Sequence, residues 1–268
     1  MMPLCPVCGA PLTAEPRVWL CPNRHSFDIA RQGYVNLLTV DRKHSLHPGD
    51  TREMVAARKA FLDTGHYRPV AEKLRSLLLA FCPDADSLLD AGCGEGYYLS
   101  QIRPSFPRAE FFGVDISKDA VRYAAVRDRQ VRWLTCTVSA LPFADGSFDA
   151  LLSLFAPTLP AEYARVLKSG GIFLQVLAGE EHLMGLKRII YPEIIRKEKF
   201  QSQVLDGFSL LQHETLSFPF TAEGEEVQNL LAMTPHFWRI SREGAERLAQ
   251  TERLDDTARV VFNVYRRS

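Results

Sequence analysis

Two sets of residues in this chain have the types and spacing that chemistry needs. The first is Cys5-x2-Cys8, then twelve residues, then Cys21-x3-His25. A short gap lets both ligands of a turn reach one ion, and two such turns close a tetrahedron around zinc. Pro6, Gly9, Pro22 and Asn23 supply the turn residues. Protein fills all four positions and leaves none for a catalytic water, so the spacing predicts a structural Zn2+. A segment this short has too small a core to fold without such a staple. Cys82, Cys93 and Cys136 show no pairing pattern and read as small core or loop residues.

The second set is Asp90-Ala91-Gly92-Cys93-Gly94-Glu95-Gly96. Glycines between a strand and a helix allow a tight turn and close backbone approach to a ligand. The dinucleotide fingerprint would need glycine at position 97, which is tyrosine. Glu95 would also face a pyrophosphate at the helix N-terminus and repel it. The same anion suits a ligand that carries a sulfonium and an ammonium group. Asp115 follows Asp90 by 25 residues and ends the next strand, where a carboxylate accepts both ribose hydroxyls.

The elements that must position these residues alternate. Residues 53–63 and 70–81 have helical spacing of apolar positions, with Gly65 between them. Strands are predicted at 87–90, 110–115, 131–134, 148–154 and 172–177, with helices at 97–102 and 118–127 and a turn at 167–171. Residues 260–265 alternate as a strand expected to close the sheet edge. This order indicates parallel βαβ units in a doubly wound α/β sheet. We divide the chain into a zinc-binding module, 1–48, and a catalytic domain, 49–268.

With 268 residues, 46% apolar and 24% charged, the chain can build one sizeable α/β domain plus a small appendage. Lys+Arg and Asp+Glu both total 32, which excludes a uniformly basic nucleic-acid coat but not a basic cleft. The longest apolar stretches fall short of the ~18 residues of a membrane span, and no basic-then-apolar leader opens the sequence. A cytoplasmic protein with reduced thiols and no membrane partner is expected.

Arg17, Trp19, Arg24, Phe27, Arg31, Tyr34, Arg42 and Lys43 surround the zinc motif. They could stack on bases and neutralise phosphates, or Trp19, Phe27 and Tyr34 could form the small core around the metal. Residue type favours neither reading. Residues 186–190 and 195–199 place five basic side chains on an expected helix pair, either a phosphate-contacting face or a solvated one.

The glycine loop resembles motif I of class I S-adenosylmethionine-dependent methyltransferases. Gly113-Val114-Asp115-Ile116-Ser117, Leu141-Pro142-Phe143, Ser147-Phe148-Asp149 and Leu167-Lys168-Ser169-Gly170-Gly171 resemble their later segments. A narrower resemblance covers nearly the whole chain. It is carried by the zinc motif, Arg24-His25-Ser26-Phe27-Asp28, Gly33-Tyr34-Val35-Asn36-Leu37, Pro48-Gly49-Asp50, Gly65-His66-Tyr67, Gly94-Glu95-Gly96-Tyr97-Tyr98, His182-Leu183-Met184 and Met233-Thr234-Pro235. These are similar to the bacterial 23S rRNA (guanine-N1-)-methyltransferases, which include relatives conferring macrolide resistance. The resemblance implies S-adenosyl-L-methionine held by Tyr67, Gly92, Gly94, Glu95, Asp115, Leu141 and His182, and zinc held by Cys5, Cys8, Cys21 and His25. It also implies a 23S rRNA hairpin with an unpaired guanine as substrate, and a homodimer whose two zinc modules frame an RNA cleft.

Phe155-Ala156-Pro157 stands where exocyclic-amine methyltransferases carry Asn/Asp-Pro-Pro-Tyr, and no Pro-Cys pair offers a nucleophile for 5-methylcytosine chemistry. A ring nitrogen or oxygen target stays open. Guanine N1 must lose its proton and leave its base pair, then stack on aromatics. Tyr97, Tyr98, Phe155 and Trp238 are candidates, with core packing the preferred reading for Phe155. No residue is singled out as the base. The leading alternative is a small-molecule methyltransferase acting on quinone- or sterol-like substrates, which has no need of a zinc reader. A third is a non-catalytic RNA-binding module that keeps the cofactor fold.

Overall fold

The computed structural model describes residues 1–42, 48–194 and 204–268. A small antiparallel sheet comes first, with strands β1 (Thr13–Ala14), β2 (Val18–Leu20) and β3 (Ser26–Asp28). Next come β4 (Val35–Asn36) and the helices α1 (Arg52–Asp63) and α2 (Arg68–Phe81). Thr51 caps α1 by accepting from the Met54 amide, and Pro69 sits in the first turn of α2, where no amide is needed.

The alternating body follows: β5 (Ser87–Ala91), α3 (Tyr97–Ile102), β6 (Glu110–Asp115), α4 (Lys118–Arg127), β7 (Arg132–Thr135), β8 (Phe148–Leu154), α5 (Pro160–Val166) and β9 (Leu167–Ala178). It ends with α6 (Met184–Ile190), β10 (Phe208–Glu223), α7 (Glu225–Ala232), α8 (Arg242–Ala249) and β11 (Arg253–Arg267). The large sheet has the order β10-β11-β9-β8-β5-β6-β7-β4. The strands from β9 to β4 pair in parallel, and β11 and β10 join antiparallel. This is the Rossmann-like sheet of class I methyltransferases.

The central strands are buried on both faces, as parallel strands between helical layers must be. One face packs Leu74, Leu78, Trp133 and Leu152. The other packs Leu89, Phe112, Phe143, Phe148 and Phe173, and Cys5, Trp19 and Cys21 belong to that same layer. The zinc segment therefore shares a core with the sheet. Its β4 pairs with β7, and the Leu37 amide donates to the Thr135 carbonyl at 2.8 Å.

Two expectations need correction. Strand β11 does not close the edge, because it lies between β9 and β10. The outer strand is β10, and Pro219 within it is tolerated there because an edge needs fewer ladder donors. Residues 167–171 are not a free turn but the start of β9, where a register shift between Phe148 and Ala150 absorbs the irregularity. Of the basic helix pair, α6 carries Lys187 and Arg188, whereas 195–199 lie outside the described residues, as do Lys43 and His44. No helix among the described residues is long and apolar enough to cross a membrane.

Candidate metal and cofactor sites

The ligand atoms of Cys5, Cys8, Cys21 and His25 all lie within 4.8 Å of one another. Cys5 Sγ stands 3.5 Å from His25 Nδ1, and Cys8 Sγ stands 3.3 Å from Cys21 Sγ. Ligands of a tetrahedral zinc stand about 3.5 Å apart, so the two closest pairs already have the spacing that ion needs and the four donors are gathered for it. Hydrogen bonds from the Ala10 amide and the Asn23 side chain pull the Cys8 thiol down to about 6, favouring the thiolate that zinc binds. Trp19 and Tyr34 are buried and Phe27 half-buried, which supports the small-core reading of these aromatics, while Arg17, Arg24 and Arg31 are exposed. Cys93 and Cys136 are free and buried, and Cys82 is free and half-buried.

The second site lies where strand order reverses, at the carboxyl ends of β5 and β8, the place where open α/β sheets bind ligands. The glycine loop leaves β5 with its Gly92 and Cys93 amides donating to the Val114 carbonyl at 2.8 and 3.0 Å. Gly92 has φ +93°, and a Cβ there would stand 2.8 Å from the Ala156 Cβ. Only glycine lets the turn after β8 lie against this loop. Asp115 ends β6 and accepts from the Gly94 amide at 3.0 Å and the Ser117 amide at 2.8 Å.

The loop is lined by three buried carboxyl groups. Burial pushes Asp90 up to about 8, with help from Asp115 and Glu95. Burial also raises Glu95 and Asp115, against the Arg58 guanidinium and, for Asp115, the two amides. Asp90 Oδ1 and Glu95 Oε1 are buried without a hydrogen-bond partner among the described residues. Such groups need a ligand, a water or a proton. A cation carrying donors fits this set better than a phosphate.

Tyr67 and His182 meet beside the loop, with Tyr67 Oη 3.3 Å from His182 Nε2. Burial raises the Tyr67 phenol, so it stays a donor. His182 Nδ1 lies 2.9 Å from the Arg259 carbonyl oxygen and 3.1 Å from the Arg259 amide, so the Arg259 backbone holds the ring in either tautomer. Leu183, next in the chain, has φ +56°, and Asp256 accepts from the Gly185 and Leu186 amides at 2.9 and 2.7 Å. Leu141 is buried behind the loop at residues 136–140; its amide donates to Glu162 and its carbonyl accepts from Arg165.

The structure thus brings together Tyr67, Gly92, Gly94, Glu95, Asp115 and His182, with Leu141 behind the next loop. It adds residues the sequence reading missed. Arg58 bonds Asp50 at 2.5 Å and the Met233 carbonyl at 3.4 Å, and a Cβ on Gly94 would meet its Nη1 at 3.6 Å. Arg58 sits within α1, outside the motifs, whereas its partners Asp50 and Met233 belong to Pro48-Gly49-Asp50 and Met233-Thr234-Pro235. Phe155 is not core: its side chain is 43% exposed, and its φ is +53°. Tyr97 is buried under the Arg127 guanidinium, whereas Trp238 is exposed.

Comparison with known proteins finds matches to both parts of the chain. Residues 4–46 match the family described as RlmA, N-terminal, and residues 88–171 match a methyltransferase domain. The chain is 36% identical over 98% of its length to a 23S rRNA (guanine(748)-N(1))-methyltransferase of Streptomyces fradiae, of which it covers 95%. Two relatives provisionally given a 23S rRNA (guanine-N1-)-methyltransferase activity come from Micromonospora griseorubida and Bacillus subtilis (strain 168). They are 35% and 28% identical over 98% and 96% of this chain, with 96% and 94% of their own lengths covered.

Proposed function

Since the chain belongs to the family of bacterial 23S rRNA (guanine-N1-)-methyltransferases, we propose that it methylates N1 of a guanine in 23S rRNA. The observation that carries this reading is a match that runs through the zinc ligands and the cofactor loop alike, over nearly the full length. A small-molecule methyltransferase has no use for the first of these.

S-adenosyl-L-methionine supplies the methyl group as a sulfonium electrophile. Gly92, Gly94 and Glu95 would line its methionine part, Asp115 its ribose and the Leu141 segment its adenine. Tyr67 and His182 close the side of the site. The chain's remaining task is to align an unpaired guanine with the methyl group and exclude water. Zn2+ bound by Cys5, Cys8, Cys21 and His25 would hold the RNA-reading module in shape. We further propose the division at residue 48, a hairpin substrate, a homodimer and a cytoplasmic location; these rest on the family resemblance.

The test is transfer of labelled methyl from S-adenosyl-L-methionine to 23S rRNA lacking N1-methylguanine, with nucleoside analysis of the product. Labelled 1-methylguanosine, lost with Asp115→Ala and Cys5→Ser, is the expected result. Cofactor binding with no label in any rRNA would overturn the reading in favour of small-molecule substrates.

A further inference from the structure

Phe155 follows the last residue of β8, at the reversal of strand order, and its backbone is in the left-handed region at φ +53°. An aromatic residue held there is strained and persists only when its surroundings over-determine it. The surroundings do so. The Phe155 amide donates to the Val176 carbonyl at 2.9 Å, extending the pairing of β8 with β9. Two residues on, the Pro157 carbonyl accepts from the Tyr163 hydroxyl at 2.9 Å. Thr158 Oγ1 accepts from Gln175 Nε2 at 2.7 Å, and Gln175 Oε1 accepts from Asn263 Nδ2 at 2.9 Å inside the sheet.

This network fixes a backbone whose one visible product is the placement of a ring. Phe155 is 43% exposed, whereas the residues just before it on β8, 150–154, are buried. Its centroid lies 6.3 Å from the His182 ring, tilted by 31°, and 6.5 Å from the Tyr98 ring, tilted by 45°. Ala156 rests against Gly92, so the ring stands at the lip of the cofactor loop. The part of Phe155 that stays exposed is available to a flat ligand.

We propose that Phe155 is the stacking platform for the extruded target base, with His182 and Tyr98 as the rim that sets the base's plane. The inference rests on the proposed activity, and it names the residue that orients the guanine. Stacking is indifferent to base identity, so Phe155 supplies orientation and dwell time, not the choice of guanine.

The test compares wild type with Phe155→Ala, Phe155→Tyr and Phe155→Trp. It measures single-turnover methylation of 23S rRNA, cofactor affinity by calorimetry and thermal stability. Loss of one base–aromatic stack predicts about a 10- to 100-fold lower kcat/KM for Phe155→Ala. Cofactor affinity and melting temperature stay unchanged, and Tyr and Trp restore most of the rate. The platform is overturned if Phe155→Ala methylates at the wild-type rate. It is overturned equally if Phe155→Ala loses cofactor affinity in step with rate, which would make the ring part of the cofactor site. Wild-type protein that makes no 1-methylguanosine overturns the activity itself, and the platform with it.

Discussion

Tyr67 and His182 are separated by 115 positions, yet the phenol oxygen of one lies 3.3 Å from the imidazole Nε2 of the other. The pairing joins the N-terminus of α2 to the segment after β9, so two distant parts of the chain fix one wall of the proposed cofactor site. A neutral hydrogen bond of this kind contributes about 0.5–1.5 kcal/mol. Tyr67→Phe is therefore expected to weaken cofactor binding about 2- to 10-fold by calorimetry, and His182→Ala at least as much. Coupling between the two substitutions should be evident in the double variant. Strictly additive losses would show that the two residues act apart.

Stability of the cofactor-free protein should depend on Asp90. Its carboxyl is raised to about 8 by burial and by the charges of Asp115 and Glu95, from an ordinary value of 3.8. The folded protein therefore keeps a proton that the unfolded chain releases across this window. That contribution to stability is complete below pH ~4 and is lost as pH rises through ~8. Thermal melts between about pH 5 and about pH 8.5 should fall more steeply for wild type than for Asp90→Asn. Parallel curves would refute the assignment.

Gly92→Ala puts a Cβ at φ +93° and 2.8 Å from the Ala156 Cβ. Strain and overpacking together should lower stability by about 2 kcal/mol or more. Adding Ala156→Gly should recover the steric part and leave the conformational part. If the second change recovers nothing, the contact between the two loops is not what demands glycine.

Metal analysis should find one zinc per chain, bound by Cys5, Cys8, Cys21 and His25. Chelation or Cys5→Ser should lower the melting temperature and abolish methylation of rRNA. Cofactor should still bind, because Asp115, Glu95 and His182 lie outside the metal cluster. A fully active metal-free protein would remove zinc from the account.

The zinc ligands were legible because tetrahedral coordination imposes short spacings on a local stretch of chain. The glycine loop and Asp115 were legible because a strand–turn–helix unit fixes the offset between them. Arg58 was not, since an arginine in an amphipathic helix is usually a solvated residue and only the fold turns it toward Asp50 and the loop. Phe155 was misjudged for a related reason. Its residue type argues for burial, and its left-handed backbone depends on bonds to β9 and α5 that no local pattern carries. Strand β10 escaped because its polar positions and Pro219 weaken the alternation, as a strand on the sheet margin permits.

Strand β4 has a consequence for how far the chain can be trimmed. It covers β7, pairing Val35 with Leu134 and Asn36 with Thr135. A chain begun at residue 49 would leave β7 as the outer strand, with its amides and carbonyls bare beside the buried Trp133 and Leu134. Such an edge is a template for joining another sheet. The segment that carries the metal-ligand cluster thus also guards against aggregation, and it should be expressed, purified and stored in one piece with the sheet it covers.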